Sequence, residues 1–401
     1  MLFNTWLFAV FGVTALTVYW LLPSRFRQVA LIALGIAFYA AAGVRYLLLV
    51  VVLTIVTFLF AKSVLHVRAR PRQREIALVL SIVLLVGVLV FFKYIHWLVE
   101  SLNLALPRAD SLAFPALVVP LAISFFTFEF IHVLVDAQAK RITSFNFFDF
   151  AAFALFFPTM VAGPIKRYQS FAPQLADLEN PSSPIVLYAL LRIVAGLFKK
   201  IVLADSLTTF VQPLLHPSGL YSGFNYAVAT FAFTWKVFFD FSGYCDVAIG
   251  FAVLLGLVVP ENFASPYSAP NIGEFWRRWH ISLSSWVRDY IFVPLGGSRR
   301  SGLWTAANLT IVMLAIGLWH GAGWHFVMWG IWNGASLGLC RAWQTVVVPR
   351  VQWLKQNGLF VRPLSIGFTY VTFALGLVLF ASPSVTDATT AYISMAKLML
   401  P

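Results

Sequence analysis

The sequence predicts an all-α polytopic membrane protein, and three observations carry that prediction. Of the 401 residues, 60% are hydrophobic and 11% charged, whereas a soluble domain is roughly 25% charged. The apolar residues fall in long runs. A bilayer core about 30 Å thick takes roughly 20 apolar residues per helical crossing, so the chain has room for on the order of ten crossings. The basic residues collect between the runs, as they do in cytoplasmic loops. Lys and Arg number 28 against 15 Asp and Glu, a net charge of +13, which in this setting points to anionic lipid head groups and not to nucleic acid. Cys245 and Cys340 lie in apolar surroundings, which excludes a disulfide framework, and no Cys/His metal spacing occurs.

The first run, residues 1–22, has Arg25 and Arg27 after it and no small-residue cleavage site, so it reads as a first crossing and not as a signal peptide. Runs at 29–42, 46–60, 76–98 and 114–135 follow. Lys62, Arg68, Arg70, Arg72 and Arg74, opposed by Glu75, place the segment after the third run in the cytosol. Counting crossings from there puts Arg25, Arg27, Lys140 and Arg141 inside and the N-terminus outside. The stretch 147–162 is broken by Pro158 and followed by Gly163 and Pro164, and 171–180 is polar. Such backbone is expected to be re-entrant or interfacial, which at membrane depth requires surrounding protein or a water-filled hollow. Runs at 185–203, 226–259, 303–318, 326–339 and 364–380 complete the set. Two more basic stretches accompany them, one with Arg277, Arg278, Arg288, Arg299 and Arg300, the other with Arg341, Arg350, Lys355 and Arg362. About ten to twelve transmembrane, re-entrant and interfacial helices are expected. They belong to a single membrane-embedded domain, 1–401, with N-terminal helices at 1–145, a core at 146–345, and a C-terminal helix and tail at 346–401.

Ionisable side chains in apolar sequence cost about 2.5 to 3.5 kcal/mol at a helix centre, so they mark function or close pairing. Among the histidines, His66, His96, His132, His216 and His325 read as loop, span-end or packing residues. His320 ends an apolar run in Gly317-Leu-Trp-His-Gly-Ala-Gly323, where the glycines allow another group to approach closely. A desolvated neutral imidazole at that point can serve as a general base, or it can cap the helix by bonding a carbonyl; both readings stay open. His280 lies in a stretch, 274–290, where a helix would put Trp276, Trp279, His280 and Leu283 on one face and Arg277, Arg278, Ser285 and Arg288 around the rest. That pattern suits an interfacial anchor, or arginines that meet the phosphates of an activated acyl carrier while His280 turns inward. Asp240, Asp246, Glu129 and Asp136 are expected to pair with cations or to line water, the arginines of 277–288 being candidate partners.

Two apparent catalytic motifs have blander explanations. Gly334-Ala-Ser-Leu-Gly338 matches the nucleophile-elbow pattern, but it sits in an apolar helical run, and Gly330, Gly334 and Gly338 recur every four residues. Close helix packing accounts for them better than a strand-turn-helix elbow does. His320 and His325 have no acid between them, so no metal centre is expected.

The stretch 238–250, Pro260-Glu-Asn-Phe263, Phe275-Trp-Arg-Arg-Trp-His-Ile-Ser-Leu-Ser284, Arg288-Asp-Tyr290, Pro294-Leu-Gly-Gly297, Asn308 and Gly317-Leu-Trp-His-Gly321 together resemble the membrane-bound O-acyltransferase family. Within it the chain is similar to the bacterial alginate O-acetyltransferase branch more than to the D-alanyl transfer proteins of teichoic acid modification. Phe157-Pro-Thr-Met-Val-Ala-Gly-Pro-Ile165, Phe171-Ala-Pro-Gln-Leu175, residues 124–136 and Phe198-Lys-Lys200 extend the likeness over nearly the whole chain. The resemblance implies helices arranged around a central tunnel, with His320 as the catalytic histidine and His280 as the second signature position. It further implies that Asn308, Trp276, Arg277, Arg278, Trp279, Arg288, Asp289, Trp319 and Asp240 bind substrate or line that tunnel, with Asn308 a candidate to polarise the thioester carbonyl.

The implied reaction moves an acetyl group from a cytosolic thioester such as acetyl-CoA to a hydroxyl of an exported polysaccharide or to a periplasmic relay protein, with no bound cofactor and no metal. The implied partners are the acyl donor or acyl carrier, the acetyl-accepting protein or polysaccharide, and membrane lipids. The implied location is the bacterial inner membrane, with the N-terminus in the periplasm. D-alanyl transfer to teichoic acid is the nearest alternative. A polysaccharide or lipid transporter would also need a hollow core, but transporters show repeat symmetry and this sequence has no internal repeat. A catalytically silent scaffold for an acetyl-passing partner is the third.

Overall fold

In the computed structural model of the chain, every regular element is helical, with α, 3-10 and π turns. Among the described residues there is no strand, only an isolated antiparallel bridge between Phe263 and Trp279. The structure describes residues 3, 5–65, 71–104, 112, 114–115, 117–142, 144–351 and 358–398. His66, Arg68, Arg70 and Lys355 lie outside the described residues.

Helices follow the apolar runs because a helix satisfies its own backbone where no water can. Among the described residues five helices are long and apolar enough to cross a membrane: Gly43–Leu65, Pro71–Asn103, Gly223–Leu254, Gly302–His320 and Val361–Ala381. Trp6–Leu21 is a shorter apolar helix. The chain is a multi-pass membrane protein.

The runs at 29–42 and 46–60 form two helices within Ser24–Leu65 that meet at a kink at Gly43, whose φ of 158° few other residues tolerate. Two elements differ from the sequence reading. The run at 114–135 becomes helical only from Ile123 and continues to Gln138. Residues 114–115 and 117–120 before it are not helical, in keeping with Pro115 and Pro120. Beyond the Gly358–Ala381 helix, where a tail was expected, Val385–Ala396 forms a further helix, capped by Ser384 Oγ accepting the Asp387 N–H at 3.1 Å. The broken stretch after residue 147 does form short pieces, Phe147–Ala154, Phe157–Met160 and Tyr168–Phe171, and their side chains are largely buried.

The chain folds as two compact units, one made of Met1–Leu197 with Tyr244–Pro260, the other of Phe198–Gly243 with Glu261–Pro401. The first has an aromatic core, in which Phe8 meets Phe251 edge-on at 5.2 Å and Phe11 meets Phe157 at 5.3 Å. Its intramembrane acids are paired locally. Glu129 bonds Lys166 at 2.7 Å, Asp136 bonds Arg141 at 3.0 Å and Asp246 bonds Arg192 at 3.0 Å. His132, fully buried, accepts the Tyr168 N–H at 3.1 Å, a packing role as the sequence suggested. These partners, Lys166, Arg141 and Arg192, are basic residues of the same unit and not the candidates the sequence suggested.

In the second unit the helix ending at His320 packs along Trp324–Ala342. The four-residue glycine spacing makes the close approach. A Cβ at Gly330 would stand 2.9 Å from Leu314 Cα, and one at Gly334 only 2.5 Å from Thr310 Cα.

Candidate functional site

All the residues singled out for chemistry fall in the second unit, but not on the helix the sequence suggested. The stretch 274–290 is not continuous. Ile272–Arg278 ends at Trp279, His280 takes a left-handed conformation (φ 45°, ψ 55°), Ile281–Val287 follows, and a π turn spans Arg288–Phe292. The break has a tertiary cause. Residues 262–264 run beside it, so that Ala264 N–H donates to Arg278 O and Ile281 N–H to Asn262 O, both at 3.0 Å. These bonds pull Trp279 and His280 out of the helix. A non-glycine residue with positive φ is uncommon and is held by its surroundings.

Trp276 and Trp279 are consequently buried in protein and not presented on an exposed helix face. Trp276 packs 5.8 Å from Trp329, and Trp279 5.1 Å from Phe373. His280 is 2% exposed, its ring 4.6 Å from Phe241 and 5.9 Å from Trp319. Burial, reinforced by the nearby His320, holds the His280 imidazole well below the ordinary histidine range, so it is neutral. His280 Nδ1 faces Asn262 Oδ1 at 3.3 Å.

His320, last residue of its helix, is partly exposed. Three rings wall it: Trp319 at 4.9 Å, Phe380 at 4.9 Å and Trp329 at 5.5 Å. The two histidines thus converge on Trp319, which touches both. Nothing in the apolar runs singles out Trp329 or Phe380, whereas Phe241 and Asn262 had a local signal in the stretch 238–250 and in Pro260-Glu-Asn-Phe263.

Other predicted residues lie elsewhere. Asn308 is buried, and its amide donates to Leu295 O at 3.1 Å and Gly297 O at 3.3 Å, which ties the 294–297 loop to the helix. At 1.5 Å per residue it is about 18 Å along the helix from His320, too far to polarise a carbonyl there. Each arginine has an acidic neighbour: Arg277 pairs with Glu274, Arg278 lies 3.8 Å from Glu274, and Arg288 bonds Asp289 at 2.8 Å. Asp240 pairs with Lys200 at 3.1 Å, and Lys200 also with Asp205 at 2.6 Å. An apolar cavity of about 370 Å³ beside Leu203, Phe210, Phe231 and Trp235 contains none of the predicted site residues in its wall. No cluster of His, Cys, Asp and Glu suited to a metal ion occurs among the described residues.

Two imidazoles on one indole, His280 buried and His320 partly exposed among aromatic rings, can meet the polar hydrogens of a reactant. The region that holds them, residues 110–361, matches the family model of the membrane-bound O-acyltransferases. The chain belongs to the membrane-bound O-acyltransferase family. It is an enzyme of the O-acyltransferase class. The match takes in His280, His320, Asn262, Trp319 and Trp329, while Phe380 lies beyond it. Among relatives of this membrane-bound O-acyltransferase, a protein of Azotobacter vinelandii named "Probable alginate O-acetylase" is 33% identical over 383 residues, covering 95% of this chain and 74% of the relative. A peptidoglycan O-acetyltransferase of Helicobacter pylori is 34% identical, covering 79% of this chain and 65% of the relative. A teichoic acid D-alanyltransferase of Streptococcus thermophilus is 29% identical, covering 63% and 68%.

Proposed function

We propose that this O-acyltransferase moves an acetyl group from a cytosolic thioester, acetyl-CoA or an acetylated carrier, to a hydroxyl of an exported polysaccharide such as alginate or peptidoglycan, or to a periplasmic protein that relays it. The observation that carries the reading is the convergence of His280 and His320 on Trp319. The greater coverage and identity of the O-acetyltransferase relatives favours acetyl over D-alanyl.

In this reading His320 takes the proton of the acceptor hydroxyl as its oxygen bonds to the thioester carbonyl carbon. The carbon–sulfur bond then breaks, and the imidazolium returns the proton to the departing thiolate. General-base help of this kind is worth roughly 100- to 10,000-fold. The protein sits in the inner membrane with the N-terminus in the periplasm, the orientation that places the basic helix ends with Lys62, Arg72 and Arg74 in the cytosol. In this reading the path between the two sides is a tunnel that reaches the partly exposed His320, with His280 packed behind it.

Labelled acetyl-CoA supplied to protein in vesicles, with de-acetylated alginate oligosaccharide or peptidoglycan fragments as acceptor, tests the reading. His320→Ala is expected to abolish transfer while leaving insertion and abundance normal. Retained transfer would remove His320 from the chemistry, and transfer from a D-alanyl carrier alone would reassign the donor.

A further inference from the structure

The hydrogen bonds around His280 decide which of its nitrogens faces the site. Asn262 Oδ1 receives the backbone N–H of Ser282 at 3.0 Å and the Ser282 hydroxyl at 2.7 Å. A backbone N–H only donates, so the atom it meets is the amide oxygen, and an amide oxygen only accepts. His280 Nδ1, 3.3 Å from the same oxygen, therefore carries a hydrogen. In the neutral ring the other nitrogen, Nε2, is then a bare lone pair. Nε2 is buried and meets no hydrogen-bond partner among the described residues.

An unpaired buried polar atom and a left-handed backbone occur at the same residue. Each feature calls for an explanation, and strained backbone of this kind clusters at functional sites. The support beneath is firm. The Asn262 backbone carbonyl is bonded to Ile281 N–H at 3.0 Å, and the next residue, Phe263, is bridged to Trp279. The amide is thus fixed by backbone on both sides of the histidine it holds.

We propose that Asn262 is a positioning residue of the transfer site: it locks His280 in the Nδ1–H tautomer and so presents Nε2 as a preformed acceptor for a polar hydrogen of a bound reactant. The hydrogen is either the acceptor hydroxyl or an amide N–H of the thioester's pantetheine arm. His280 orients that reactant, and His320 takes the proton. The inference rests on the assignment of this cluster as the transfer site.

The first test needs no activity. The full chain, labelled with 15N-histidine and held in detergent, is compared with its His280→Gln variant, and the nitrogen resonances lost in the variant report His280. They are expected to show a protonated Nδ1 and a bare Nε2. A proton on Nε2 overturns the proposal whatever becomes of His320. The second test uses transfer from labelled acetyl-CoA to alginate oligosaccharide. Asn262→Leu is expected to lower kcat about 10- to 100-fold in protein that still inserts, and Asn262→Asp, which keeps an acceptor oxygen, to recover most of the rate. Wild-type transfer by Asn262→Leu, or an aspartate no better than leucine, overturns it. If leucine prevents folding, the wild-type tautomer and the aspartate variant decide. A raised KM for the oligosaccharide identifies the hydroxyl as the hydrogen received, and a raised KM for acetyl-CoA identifies the pantetheine amide.

Discussion

Trp319 packs 5.9 Å, ring centre to ring centre, from His280, a residue of a different helical segment, while adjoining His320 in the chain at 4.9 Å. One indole therefore sets the spacing of both imidazoles. Replacing it with leucine removes that shared wall and leaves each ring free to tilt. Misplacement by about 1 Å can cost 100-fold, so Trp319→Leu is expected to reduce kcat about 10- to 100-fold with protein abundance unchanged. An undiminished rate in the labelled acetyl-CoA assay would mean that the indole does not hold the geometry.

The neutral state of His280 has a consequence for stability. Burial lowers its folded pKa well below the unfolded value of 6.5. Below pH 6.5 the unfolded chain therefore binds a proton that the folded chain refuses, and stability falls as pH drops. The contribution is complete above that pH and declines by about 1.4 kcal/mol per pH unit below it, until the folded group itself titrates. The difference in unfolding free energy between wild type and His280→Gln, followed by denaturant unfolding in detergent from pH 7.5 down to 5, should carry this slope. A flat difference curve would contradict the assignment of a neutral buried imidazole.

Glu129 and Lys166 form an ion pair with side chains only 3% and 2% exposed, and the ammonium also lies 4.5 Å from the Phe153 ring. Removing one partner strands the other's charge. Glu129→Leu and Lys166→Met are each expected to destabilise by about 3 to 5 kcal/mol, and the double variant to recover most of the loss. A double variant as unstable as the sum of the two single variants would show that the charges do not act as a pair.

Gly334 tests the helix seam. Its Cβ position lies 2.5 Å from Thr310 Cα, a backbone atom that cannot swing aside. Gly334→Ala should cost about 1 to 3 kcal/mol by forcing the two helices apart, and Gly334→Leu should abolish accumulation of folded protein. Normal thermal stability of the alanine variant would show that the seam is looser than it is drawn.

Much of this was legible in the sequence, and what was not has a common physical origin. His320 stood out because a lone ionisable residue at the end of an apolar run is expensive and therefore conspicuous. The glycine stripe could be read because helix spacing alone puts Gly330, Gly334 and Gly338 on one side. The break at His280 could not, since Trp276, Trp279, His280 and Leu283 fit a helix well. The bonds that end that helix come from Asn262 and Ala264, across the fold. The partners of Asp240 and Asp246 were missed for the same reason, since Lys200 and Arg192 lie on other helical segments. Asn308 was singled out by the family resemblance, yet its amide nitrogen donates to two loop carbonyls.

The left-handed backbone of His280 also shapes what substitution at that position can teach. Asparagine, aspartate and glycine accept such a conformation readily, whereas valine, isoleucine and threonine resist it. A complete set of replacements at 280 would therefore sort into two groups. In one the chain still folds and only the imidazole is lost; in the other the turn itself fails. Screening by activity alone would merge them, and a glycine or asparagine at 280 is the control that isolates the chemistry from the bend.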